Sequence, residues 1–204
     1  NLNASNLYKS GVRNYTASVG EKIDTNWVDA VRIQAAFSGT RLAVLGFRAK
    51  GFFNLGVYDL NVYKEMGILI DHFELTEVWD WQVTEREVEE RLSQIHSIFV
   101  TSELSEEQIL KVASLTAKLN GFLNKKGITA MAIRCWPEFA AEFEISPCSA
   151  MSLLQSEGRI LSCEGDLEGA LSMVAHKAVG AETPYLFDFS QVNFDENSAL
   201  LWHC

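Results

Sequence analysis

Four short stretches of this chain are apolar, or nearly so, and the segments between them carry apolar residues at helical spacing. The stretches are Leu42-Ala43-Val44-Leu45-Gly46, Ile68 to Leu75, Gly127 to Ile133, and Arg159 to Cys163. A short apolar run bounded by turn residues reads as a strand buried on both faces, the condition of a parallel sheet. Between the runs, Trp27, Val28, Val31, Ile33, Ala35, Ala36 and Phe37 follow a cap at Asp24 or Thr25 and end at Gly39, which predicts a helix. A glycine-spaced loop from Gly51 to Gly56 precedes a helix through Leu60, Tyr63 and Met66 to Gly67. Thr84-x-x-Glu87 and Ser105-x-x-Gln108 are capping boxes, each opening a polar amphipathic helix. Pro147 starts a further helix that Gly158 ends, and Leu167, Ala170, Leu171, Val174, Ala175 and Ala178 form one face of another, stopped at Gly180.

Strands alternating with helices predict a doubly wound, mainly parallel, Rossmann-like α/β domain over residues 25–180. Residues 1–24 are weakly patterned and read as a linker or tail from a preceding domain. Beyond residue 181 the alternation stops. Tyr185–Ser190 and Ala199–His203 follow one another without a helix, the expected beginning of a second, β-rich domain at the C-terminus. The chain begins on Asn1 and stops in what reads as an unfinished strand, so a segment of a longer polypeptide is expected.

Composition narrows the function. Hydrophobic residues make up 48% of 204 residues, enough for a packed core. A net charge of −10 argues against non-specific binding to nucleic acid or to an anionic membrane. No apolar run has membrane-spanning length. Cys135, Cys148, Cys163 and Cys204 lack any CxxC spacing, so reduced, buried thiols of a cytoplasmic protein are the expected state.

The candidate chemistry lies at strand ends. Glu164 follows an apolar strand directly and begins the turn Glu164-Gly165-Asp166 into a helix. A short strand Tyr185-Leu186-Phe187 is expected to end on Asp188, and His203 comes fifteen residues later. Open α/β sheets place ligands at the carboxyl ends of their strands. Two carboxylates and an imidazole there make a hard-metal site with acid/base capability. Asp166 and Glu168 are explained by capping and the helix dipole alone, and His72, His96 and His176 read as structural. Arg134, after the third strand, is either a positioning donor for substrate or the partner of Glu138, and Trp136 is either core or a stacking surface for a sugar face. A nucleotide cofactor is not expected, because Gly46-Phe47-Arg48-Ala49-Lys50-Gly51 lacks the phosphate-binding glycine spacing and no GxxxxGK[ST] loop occurs.

Cys163-Glu164-Gly165-Asp166-Leu167-Glu168-Gly169-Ala170, Leu186-Phe187-Asp188-Phe189 and Leu200-Leu201-Trp202-His203 together resemble the L-fucose isomerase and L-arabinose isomerase family. The stretches at Arg134–Glu138 and Gly46–Arg48 are similar to that family's second domain. The resemblance covers most of residues 40–204. It implies two Rossmann-like domains followed by a β-rich one, Mn²⁺ or another divalent cation, a small-molecule sugar as substrate, and a homo-oligomer. It also implies that Glu164 and Asp188 are both metal ligands and the catalytic carboxylates of an aldose–ketose conversion through a cis-enediol. His203 resembles the histidine ligand of the arabinose branch, whereas the fucose branch draws its histidine from further along. The alternative is a non-catalytic sugar- or partner-binding α/β module in which the two acids only hydrogen-bond a polyol.

Overall fold

A computed structural model describes residues 2–12 and 24–203. Helix α1 (Leu2–Lys9) forms within the stretch read as a tail; residues 13–23 of that stretch lie outside the described part. The body of the chain is a four-stranded parallel sheet in the order β2-β1-β3-β4, from β1 (Leu42–Leu45), β2 (Ile70–Phe73), β3 (Ala130–Ile133) and β4 (Ile160–Ser162). Helices α2 (Thr25–Ser38), α3 (Asp59–Met66), α4 (Leu75–Trp79), α5 (Glu85–Ile98), α6 (Glu106–Lys126), α7 (Cys148–Ser156) and α8 (Leu167–Ala178) flank it. The expected doubly wound parallel sheet is present.

The apolar runs become strands because both faces of the sheet are covered. Leu42, Val44, Ala130, Ala132 and Ile160 point to one side and pack with Val62 of α3 and Leu167, Ala170, Leu171 and Val174 of α8. Their neighbours Ala43, Leu45, Met131, Ile133 and Leu161 point the other way, against Leu115, Leu119, Phe122 and Leu123 of α6 and Ala150, Met151 and Leu154 of α7. Alternate residues of one strand thus serve two cores. Burial of each large side chain contributes about 1.5–3 kcal/mol. Phe122 is 0% exposed and meets the rings of Phe73 and Trp81 edge-on at 5.0 and 5.4 Å. Four helices begin as their sequence directs: Asp24 caps α2, Asp166 caps α8, and the two expected capping boxes close reciprocally at α5 and α6.

Two expectations are corrected. The second strand stops at Phe73, and Leu75 opens α4 instead, where Glu74 and Glu77 close a capping box and Leu75 and Val78 are buried. Asp188 does not end a strand: it starts β5 (Asp188–Asn193), which pairs antiparallel with β6 (Ser198–Trp202) in a separate two-stranded sheet. The residues before it do not pair, because Leu186 turns inward to pack against both sheet cores. No described helix is long and apolar enough to cross a membrane.

Candidate active site

The strand order puts a topological switch between β1 and β3, whose chains depart in opposite directions across the sheet. Ligands of such sheets bind at that crevice, beyond the carboxyl ends. Here three strand ends are tied together by backbone. The Arg134 amide donates to Leu45 O at 2.9 Å, the Gly165 amide donates to Ile133 O at 2.9 Å, and the Ala49 amide donates to Glu164 O at 3.0 Å. The loop after β1 therefore crosses the end of β3 to reach the turn after β4.

Close contact demands unusual backbone. Gly165 has φ +74, and a Cβ there would stand 2.2 Å from the carbonyl oxygen of Phe47. The two residues facing each other across this contact are non-glycine and left-handed: Phe47 at φ 65 and Glu164 at φ 61. Such strain costs about 1–3 kcal/mol per residue and persists where the surroundings over-determine it, often at functional sites. Behind the turn, the Ser162 hydroxyl donates to Asp166 O at 2.6 Å, and the Asp166 carboxylate accepts from the Gly169 amide at 2.8 Å. Asp166 is thus a helix cap, as its sequence position indicates.

Glu164 is half-buried. Burial pushes its carboxyl above the ordinary range, the charge of His203 pulls it back, and Asp188 and Asp166 push it up further. Asp188 and His203 therefore lie within electrostatic reach of Glu164. They also meet each other, with His203 Nδ1 3.3 Å from Asp188 Oδ2. The Asp188 carboxylate is 71% exposed while the His203 ring is 12% exposed. The other ring nitrogen, Nε2, is buried with no hydrogen-bond partner. It belongs to a residue lining a small cavity of about 70 Å³ with Cys148, Cys163, Gln155 and Leu186.

That cavity exposes a grouping that cysteine spacing does not reveal. Cys135 and Cys163 are buried and Cys148 is half-buried, at the ends of β3 and β4 and the start of α7; Cys204 lies outside the described residues. A hydrogen bond from Cys163 lowers the Cys148 thiol to about 6, against the opposing effect of burial and with help from Ser146 and the charge of His203. The Ser146 hydroxyl is 3.2 Å from Cys148 Sγ. Cys163 is pushed far up, because ionising it would break its bonds to Cys135 and Cys148.

Arg134 sits at the same edge, half-buried, with Nε 3.1 Å from Glu138 Oε2, an ion pair whose atoms are not aligned as a hydrogen bond. Trp136 is 44% exposed, so its indole is not core, and it makes no polar or ring contact among the described residues. The structure brings Glu164, Asp188 and His203 into one neighbourhood; among the described residues no hydrogen bond or ion pair joins Arg134 or Trp136 to them. Arg48 was not singled out by sequence. Its guanidinium lies 4.7 Å from the ring centre of Phe47 and 5.7 Å from that of Phe53. The sequence signals at that loop are the resemblance of Gly46–Arg48 to the isomerase family and the glycine spacing from Gly51 to Gly56, neither of which assigns Arg48 a role.

Two carboxylates and an imidazole are the donor chemistry of a hard divalent cation, and it is Nδ1 of His203 that lies on the Asp188 side, Nε2 being on the other side of the ring. Among the described residues, no three His, Cys, Asp or Glu side chains converge on one ion, so the ligand set does not close by itself.

No protein-family model matches the chain. It is similar to proteins named sulfoquinovose isomerase. With that of Priestia aryabhattai it shares 24% identity over 180 residues, which is 87% of this chain and 40% of the relative. With that of Alkalicoccus urumqiensis it shares 35% over 97 residues, 47% of this chain and 22% of the relative. With that of Clostridium sp. (strain MSTE9) the figure is 30% over 83 residues, 41% and 19%. The chain spans about 40% of the length of the Priestia relatives.

Proposed function

We propose that this chain contributes the carboxylates of an aldose–ketose isomerase acting on sulfoquinovose or a closely related sulfonated sugar. One observation carries the reading. Glu164 is held in a strained, left-handed conformation at the end of β4, partly desolvated, with Asp188 and His203 near enough to alter its proton affinity. The names of the relatives supply the substrate class.

Isomerisation moves a proton between C2 and C1 and shifts a second between O1 and O2. Proton transfer on carbon needs a carboxylate fixed at the cleft and partly withdrawn from water, which the half-buried position of Glu164 at the end of β4 provides. Glu164 is accordingly assigned the proton on carbon. Asp188, open to solvent and contacted by the His203 ring, is assigned the hydroxyl oxygens. Glu164, Asp188 and His203 would hold a divalent cation such as Mn²⁺, together with ligands beyond these three. When bound, that cation would supply Lewis-acid stabilisation of negative charge on the two substrate oxygens.

The test is Glu164→Gln in the full-length protein. Turnover of sulfoquinovose should fall by about 10²–10⁴-fold while the melting temperature and sugar binding are kept. Turnover within a few fold of wild type would remove Glu164 from the chemistry. Chelation separates the isomerase from a binding module: it should abolish turnover, with recovery on adding Mn²⁺. Activity that is indifferent to chelator would remove the cation.

A further inference from the structure

We propose that Arg48 is the residue that recognises the sulfonate of the substrate, an inference that rests on the isomerase reading above. A sulfonate is ionised at every physiological pH. A chain of net charge −10 must therefore offer it a local cation. Two arginines stand at the switch-point edge. Arg134 is committed to Glu138 at 3.1 Å. Arg48 is half-buried, and among the described residues its guanidinium has neither a carboxylate partner nor a hydrogen-bond acceptor.

The Arg48 side chain is nevertheless positioned. It lies against the Phe47 and Phe53 rings, and a Cβ added at Gly56 would be 3.6 Å from its Nη1, so the guanidinium covers that backbone. Stacking on aromatic faces holds a guanidinium flat and leaves its in-plane N–H groups available. Its backbone is fixed as well. A Cβ at Gly165 would be 2.6 Å from Arg48 Cα, and the next residue, Ala49, is hydrogen-bonded to Glu164. The loop that carries this cation is thus packed backbone-to-backbone against the turn that carries the proposed proton-transfer carboxylate. A planar fork of N–H donors suits the oxygens of an XO₃ anion, as it suits phosphate. Arg48 therefore differs from a solvated surface arginine: it is half-buried, lies against two aromatic rings, and its backbone abuts the Glu164 turn.

The sulfonate is remote from C1 and C2, so its recognition is uniform binding and falls mainly on KM. The experiment compares sulfoquinovose with its neutral counterpart, quinovose, in the full-length protein. For Arg48→Gln, kcat/KM on sulfoquinovose should fall about 10- to 100-fold through KM, with a much smaller loss on quinovose. Arg48→Lys should recover part of it. Where turnover of quinovose is slow, calorimetric binding of the two sugars reads the same split. Equal losses on both sugars, or none on sulfoquinovose, would overturn the assignment while leaving the isomerase reading in place. A wild-type enzyme with no preference for the sulfonated sugar would overturn the substrate class and Arg48 together.

Discussion

The amide of Ala49 donates to the carbonyl of Glu164 at 3.0 Å, joining the loop after β1 to the turn after β4 although β3 lies between their strands. The bond exists because Gly165 lets two backbones approach within a distance that a side chain would forbid. The strained conformations of Phe47 and Glu164 follow from the same approach. Candidate acid and candidate sulfonate-binding loop are therefore one mechanical unit.

Gly165→Ala tests that unit against a control. Gly180→Ala, at φ +110 with nothing near the new Cβ, should cost only the left-handed conformation, about 1–2 kcal/mol. At Gly165 the added Cβ meets backbone of Phe47 and Arg48, so the loss should exceed the control by about 2 kcal/mol or more. Urea unfolding of the two variants measures it. Equal losses would mean that the crossing loop yields without cost.

Cys148 should alkylate as an activated thiol. With its pKa lowered to about 6, its reaction with iodoacetamide should rise through that pH and level off by neutrality, as read by mass spectrometry. Cys163 should stay unlabelled in the native protein. Replacing Cys163 by Ala removes the leading hydrogen bond and should move the Cys148 midpoint upward. A wild-type midpoint near about 8.5, the ordinary thiol value, would contradict the hydrogen-bonded arrangement.

The ion pair between Arg91 and Glu157 should make stability pH-dependent. Burial raises the Glu157 carboxyl, but hydrogen bonds from Arg91 and from Gln94, the latter at 2.8 Å, outweigh it and lower the pKa overall. A carboxyl held lower in the folded than in the unfolded state stabilises the protein above the unfolded value, and that contribution is lost as pH falls through the folded one. Glu157→Gln should thus cost about 1 kcal/mol or less at pH 7, given the partial exposure of the pair, and the gap should close below about pH 4. Melting curves across that range decide it; a gap that persists in acid would assign the loss to packing instead of charge.

Much of the fold was legible in local pattern. The run Leu42–Leu45 is apolar at every position because Leu42 and Val44 enter one core and Ala43 and Leu45 the other, so its continuity announced a doubly covered strand. The boxes at Thr84/Glu87 and Ser105/Gln108 and the cap at Asp166 join residues three apart, and such bonds form wherever a helix begins. Leu75 misled because an apolar residue after a strand looks like more strand. Its capture into α4 depends on a capping box opened by Glu74 and on burial in a core that also contains the distant Phe122 and Ile133. Asp188 misled for a similar reason: Leu186 extends the apolar run but serves the sheet cores, so pairing with β6 starts only after it.

By itself the chain's residue order determined the strands, the helices, their caps and the types of acid available, since all of these depend on neighbours a few positions away. Tertiary structure alone decided which loops meet: that Phe47 and Arg48 lie on Gly165 and that Ala49 is bonded to Glu164. The physical reason is the strand order. Once β3 inserts between β1 and β4, residues more than a hundred positions apart are brought into contact, and no local periodicity encodes a contact at that separation.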